Sequence, residues 1–141
     1  QKADVLLAAL ARHMNIDVLA LEPDRAYLTL NLDPVQLIFA LSEETEELLA
    51  VARLSPLPTD GAPRENLARE LMQGNFSWGG TAGGILGLEE ESGCVCLSCR
   101  YALDRETGVS FVEKMKRQYV LAEYWNSRLG PEEKQASRLR A

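Results

Sequence analysis

The sequence predicts an α+β fold: a twisted antiparallel sheet packed against helices, in the order α-β-β-β-α-β-β-α, with apolar strand surface left for a second copy or a ligand polypeptide. Three observations lead there. Apolar periodicity is helical at the two ends of the chain and drops to two in the stretches between. The strand-like runs are joined by connections too short for a crossover, so neighbours run antiparallel. Both faces of the second and third strands are apolar, which is more than one 141-residue domain covers by itself, and the surplus has to meet another chain.

Residues 2–14 read as an amphipathic helix whose stripe holds Val5, Leu6, Ala9, Leu10 and His13 or Met14, ended by Asn15. Ile16 to Glu22 is a connection and Pro23-Asp24 opens a turn. From Ala26 the period is two, with Leu28, Leu30 and Leu32 on one face and Tyr27, Thr29 and Asn31 on the other. Asp33-Pro34 turns the chain into a second strand, Val35 to Leu41, and Ser42 to Thr45 turns it into a third, Glu46 to Leu54. Ser55 to Ala62 is the Pro/Gly-rich connector. Pro63, whose missing N–H does no harm at a first helical position, starts a helix striped by Leu67, Ala68, Leu71 and Met72, running to Gln73 and stopped by Gly74.

The glycine-dense stretch Gly74 to Gly87 leads into a hairpin with arms Ile85 to Glu89 and Cys94 to Ala102. Ser110 with Glu113 fits a capping box at the start of the last helix. There Val112, Met115, Tyr119 and Ala122 recur at helical spacing, and Phe111, Leu121, Tyr124, Trp125 and Leu129 widen the stripe. Gly130-Pro131 stops it. Residues 1–129 are then one domain and residues 130–141 a flexible tail.

Composition narrows the function. Twenty-one acids against fifteen bases give a net charge of −6, which disfavours nucleic acid and anionic membrane surfaces as partners. Residues 1–99 hold 6 bases and 15 acids, whereas residues 100–141 hold 9 bases and 6 acids, so the acidic part can steer a basic segment towards itself. No apolar run reaches the ~18–20 residues of a membrane span, residues 1–14 do not look like a signal peptide, and three clustered cysteines are no secreted disulfide framework. The expected compartment is the cytoplasm.

Residues that carry chemistry are few. The glycines follow a helix and enter a strand, and no Lys lies between Lys2 and Lys114, so they are not a phosphate-binding loop; Gly79, Gly80, Gly83 and Gly84 also miss the dinucleotide spacing. Cys94 and Cys96 share one strand face and Cys99 points the other way, which suits small apolar fillers better than a metal site whose fourth ligand would be His13. No nucleophile elbow surrounds Ser77, and the Glu43–Glu47 and Glu89–Glu91 clusters lie in turns. No catalytic residue, cofactor or metal is expected. Trp78, in the glycine-rich loop, stands out as an interface anchor.

A leucine-rich helix ending in Met14-Asn15-Ile16, a meander, then Asn66-Leu67-Ala68-Arg69-Glu70-Leu71-Met72 running through Gly74-Asn75-Phe76 into Thr81-Ala82-Gly83-Gly84, and then Leu86-Gly87-Leu88-Glu89 before a long last helix: this order resembles the class I type III secretion chaperones, the Tir-chaperone-like family, over about residues 3–129. The Phe76-Ser77-Trp78 insert and the three cysteines depart from the family pattern. The resemblance implies a small acidic cytoplasmic homodimer, without ATP or metal, that holds the N-terminal region of a secreted effector in extended, export-competent form. It implies a dimer interface of Leu67, Leu71, Met72, Phe76, Ile85, Leu86 and Leu88. It also implies effector docking on the first helix and the meander, at Leu6, Leu10, Ile38, Ala40, Leu49 and Val51, with the outward strand face left open. A small-molecule enzyme with its site at the glycine-rich loop and a dimeric adaptor for folded proteins are the competing readings.

Overall fold

The structure, a computed structural model, describes residues 2–17, 19–22 and 27–130. The turn expected at Pro23-Asp24, the strand start at Ala26 and the tail after Gly130 lie outside the described residues. The elements are α1 (Lys2–Met14), β1 (Tyr27–Leu32), β2 (Val35–Ser42), β3 (Glu47–Pro56), α2 (Gly61–Asn75), a 3-10 turn (Phe76–Trp78), β4 (Ile85–Leu88), β5 (Cys94–Ala102) and α3 (Gly108–Leu129). All eight expected elements are present in the expected order.

The five strands form one antiparallel sheet in the order β1-β2-β3-β5-β4. One face is buried under α1 and α3. It consists of Val35, Leu37 and Phe39 of β2, Leu48, Ala50, Ala52 and Leu54 of β3, and Val95, Leu97, Cys99 and Tyr101 of β5. The parity that the sequence left open is thereby fixed, and Ile38, Ala40, Leu49 and Val51 belong to the opposite face. The helices meet this core through Leu6, Leu7 and Leu10 of α1 and through Phe111, Met115, Ala122, Trp125 and Leu129 of α3.

Several local expectations are corrected. Val5 is 60% exposed, and Leu7, on the opposite side of α1, holds the place expected for it in the stripe. Helix α2 begins at Gly61 rather than Pro63, and Pro63 is tolerated because the whole first turn has amides without intrahelical partners. It also continues through Gly74 to Asn75. Gly74 is a packing residue rather than a stop, since a Cβ there would lie 2.6 Å from the Trp125 indole.

The cap of α3 is Thr107, not Ser110. Thr107 Oγ1 accepts from the Ser110 amide at 3.1 Å, and the Thr107 amide donates to Ser110 Oγ at 2.9 Å, a reciprocal box one turn earlier than expected. Glu113 instead pairs with Lys116. Tyr124 does not join the core stripe. It is exposed and stands edge-on to Trp125, whose Nε1 donates to the Gly80 carbonyl at 2.8 Å. The glycine-rich loop is shaped by this packing on Trp125.

Candidate functional site

The two ends of the sheet differ in what they offer to another chain. At the β4 end, the outward backbone groups of Leu86 are already taken. Its amide donates to Asn75 Oδ1 at 2.8 Å, and its carbonyl accepts from Asn75 Nδ2 at 3.0 Å. The carboxamide at the end of α2 thus stands in for a neighbouring strand and closes that edge. At the β1 end no such cover is present among the described residues. The two-residue Asp33-Pro34 turn makes Leu32 and Val35 the closing pair, so Leu28, Leu30 and Leu32 bond to β2 while Tyr27, Thr29 and Asn31 direct their backbone groups away from it. The Tyr27 carbonyl accepts from the Glu22 amide at 2.8 Å. Beyond the β1–β2 ladder, the backbone groups of Thr29 and Asn31 make no hydrogen bond among the described residues.

An apolar groove of about 490 Å³ opens beside this edge on the helical side of the sheet. Leu10, His13 and Met14 of α1 form one wall and Met115, Lys116, Tyr119 and Val120 of α3 the other, with Leu32 and Leu37 at the strand end. Among the described residues that line it, His13 and Lys116 are the polar side chains besides the Tyr119 hydroxyl. Burial, and then the neighbouring Glu123 carboxylate, push the Tyr119 phenol above its ordinary value, so this ring is neutral at physiological pH. The sequence reading named Leu10 here and missed the rest, because the groove exists only once β1, α1 and α3 converge.

On the other face of the sheet, Ile38 lies opposite Val51 and Ala40 opposite Leu49, a two-by-two block of half-buried apolar side chains. These four expected client positions are brought together, and none of them turns into the core. Leu6 is different: it is 2% exposed, inside the protomer, and presents no surface. Beyond the block, Arg53 and Glu89 form an ion pair at 2.9 Å. Burial and the Glu89 charge push the nearby Cys96 thiol up to about 11, so it is not a nucleophile at neutral pH.

The expected dimer positions split in two. Met72, Phe76, Ile85 and Leu88 are exposed on α2, the 3-10 turn and β4, as is Trp78, while Leu67 is half-buried. Leu71 and Leu86 are 7% and 5% exposed and turned into the protomer's own core, where they support that face from beneath rather than form it. Among the described residues no three His, Cys, Asp or Glu side chains converge as metal ligands, and no helix is long and apolar enough to cross a membrane.

A model of the Tir chaperone protein (CesT) family matches residues 5–126. Among solved structures, a chain of the ExsC–ExsE complex superposes with a TM-score of 0.77 at 25% identity, covering 93% of this chain and 96% of that one. A chain of the HopA1–SchA chaperone–effector complex gives 0.69 at 19% identity, covering 89% and 94%. A chain of the heterodimeric ExoU–SpcU complex, from the type III secretion system of Pseudomonas aeruginosa, gives 0.67 at 18% identity, covering 89% and 98%. The last two likenesses speak to the fold alone. No curated protein sequence matches the chain.

Proposed function

Since the chain belongs to the Tir chaperone protein (CesT) family, we propose that it is an effector-binding chaperone of type III secretion that keeps the N-terminal region of its client extended, soluble and ready for export from the bacterial cytosol. The observation that carries this reading is the open β1 edge beside an apolar groove, in a sheet whose other edge is closed by Asn75. The relatives point the same way: SchA is described in a chaperone–effector complex with HopA1, and SpcU in a heterodimeric complex with ExoU.

A client strand added to β1 bonds its backbone to Thr29 and Asn31 and sends alternate side chains to the two faces. Those on the helical side enter the groove between Met14, Leu32, Tyr119 and Val120, and a continuing segment covers Ile38, Ala40, Leu49 and Val51. Fixing an extended chain costs about 1–2 kcal/mol per residue. Each leucine-sized side chain buried returns about 2 kcal/mol. One buried leucine per two residues only offsets part of that cost, so net binding also draws on the backbone bonds to β1 and on apolar side chains buried on both faces, and no chemistry on the client is needed. The chaperone itself pairs with a second copy through Met72, Phe76, Ile85 and Leu88, backed by Leu67.

The test is co-expression with an effector fragment that is insoluble alone. The wild type keeps it soluble and protease-resistant without making it globular. Thr29→Pro removes an amide that the register directs away from β2 and places a ring at the edge, where proline is tolerated. It leaves the thermal midpoint within a few degrees and abolishes rescue. Full rescue by a folded Thr29→Pro variant would sink the strand-addition reading.

A further inference from the structure

On the flank of α3 turned away from the groove, a smaller cavity of about 170 Å³ lies between the glycine-rich loop and the end of β5. Lys114 and Arg117 of α3 stand over it, Arg100 carries its side chain on the opposite face of the sheet beside Leu49, and no carboxylate among the described residues lines the cavity, in a chain with six more acids than bases. Glu106 clasps Lys114 at 2.6 Å and Glu47 lies 3.9 Å from Arg100, whereas Arg117 has no ion-pair partner among the described residues. Its fork of donors is thus uncommitted.

The remaining walls fit the same ligand chemistry. The floor is internally satisfied: the Tyr101 hydroxyl donates to Gln118 Oε1 at 2.6 Å, and Gln118 Nε2 donates to two strand carbonyls, so a ligand is held from the rim and the loop. On the loop side, Ala82 and Gly83 are consecutive left-handed residues, at φ 52° and 87°, and their amides donate to nothing among the described residues. A Cβ on Gly83 would meet nothing within 4 Å, so the loop leaves open space there. A volume of about 170 Å³ is that of about six waters at ~30 Å³ each, which admits a tetrahedral anion with a partial hydration shell.

We propose that this cavity binds a small oxyanion of the phosphate class, gripped by Arg117 and Lys114 on one side and by the Ala82-Gly83 backbone opposite. Lys114, Arg117 and Gln118 lie on the opposite flank of α3 from the Tyr119 and Val120 groove wall, so the anion does not occupy the polypeptide groove. It would tie the 81–84 loop to α3 by charge-assisted hydrogen bonds.

The experiment is an amide and arginine-Nε NMR titration of the full chain with inorganic phosphate, at ionic strength held constant with sodium chloride. The expected result is saturable shifts confined to residues 82–84, 100–101 and 114–118. Arg117→Gln, at an exposed position, weakens binding about tenfold or more, the loss of one charge-assisted partner. Arg69→Gln, an exposed cation on α2 that is not part of the cavity, leaves it unchanged. Non-saturating shifts spread over the surface, or equal affinity in Arg117→Gln, would overturn the proposal. Client rescue by co-expression is a separate readout, so failure here leaves the chaperone reading standing and the reverse also holds.

Discussion

Gln118 is fully buried in the middle of α3 and yet entirely satisfied. Its Nε2 donates to the Ala50 carbonyl at 2.8 Å and the Leu97 carbonyl at 3.1 Å, and its Oε1 accepts from Tyr101. One side chain thereby fastens α3 to β3 and β5 at once. Replacing it with leucine keeps the volume and strands the Tyr101 hydroxyl. Gln118→Leu should cost about 2 kcal/mol or more, read from the urea midpoint. Nothing in the local sequence signals this, because a lone Gln on a helix reads as solvated until the strands beneath it are known. The thiols carry a pH prediction. Burial raises Cys96 from the ordinary 9.0 to about 11, and Cys99 and Tyr101 also move upward, burial being the first cause in each. The folded chain therefore holds protons that the unfolded chain has released. This contribution to stability is complete below pH 9.0 and is lost as pH rises towards about 11. Chemical denaturation across that range should show a falling midpoint, with a shallower fall in Cys96→Ser.

At the scale of elements, Asn75 decides how the sheet ends. Asn75→Leu leaves the Leu86 amide and carbonyl unpaired and reopens the β4 edge. The expected outcome is concentration-dependent aggregation by light scattering, together with a loss of about 1–3 kcal/mol for the unmet backbone groups. A monodisperse variant of unchanged stability would contradict the role given to that side chain. The elements themselves were legible in the sequence wherever one period dominated: Leu28, Leu30 and Leu32 announce β1, and the spaced apolar residues from Phe111 to Leu129 announce α3. What sequence left open was which face of β2 and β3 is covered, since Val35/Leu37/Phe39 and Ile38/Ala40 are both apolar and only the helices above choose between them. Helix ends were misplaced for a related reason. Gly74 looks like a stop until Trp125 is seen pressing on it, and Ser110 looks like a cap until Thr107 is found taking the role three residues earlier. Of the candidate site, Ile38, Ala40, Leu49 and Val51 were named from sequence without their face being settled, and the groove was not legible, because three elements distant in sequence build it.

For the molecule as a whole, the exposed Met72, Phe76, Ile85 and Leu88 make a direct prediction about assembly. The double variant Met72→Asp/Phe76→Asp should elute as a monomer by light scattering with its thermal midpoint little changed, since neither side chain is in the protomer core. A persistent dimer would move the interface elsewhere. The same double change should weaken client rescue without abolishing it, because the β1 edge and its groove stay intact. The strand order then sets a length requirement. Five strands at about 4.8 Å put β1 about 19 Å from β4. Two copies facing each other across their β4 ends would hold their free strands at least about 40 Å apart, a gap that an extended peptide crosses in about a dozen residues or more. A cargo that grips both halves at once must therefore space its two anchoring stretches by at least that many residues, and any cargo with a tighter spacing leaves one half vacant for a second molecule.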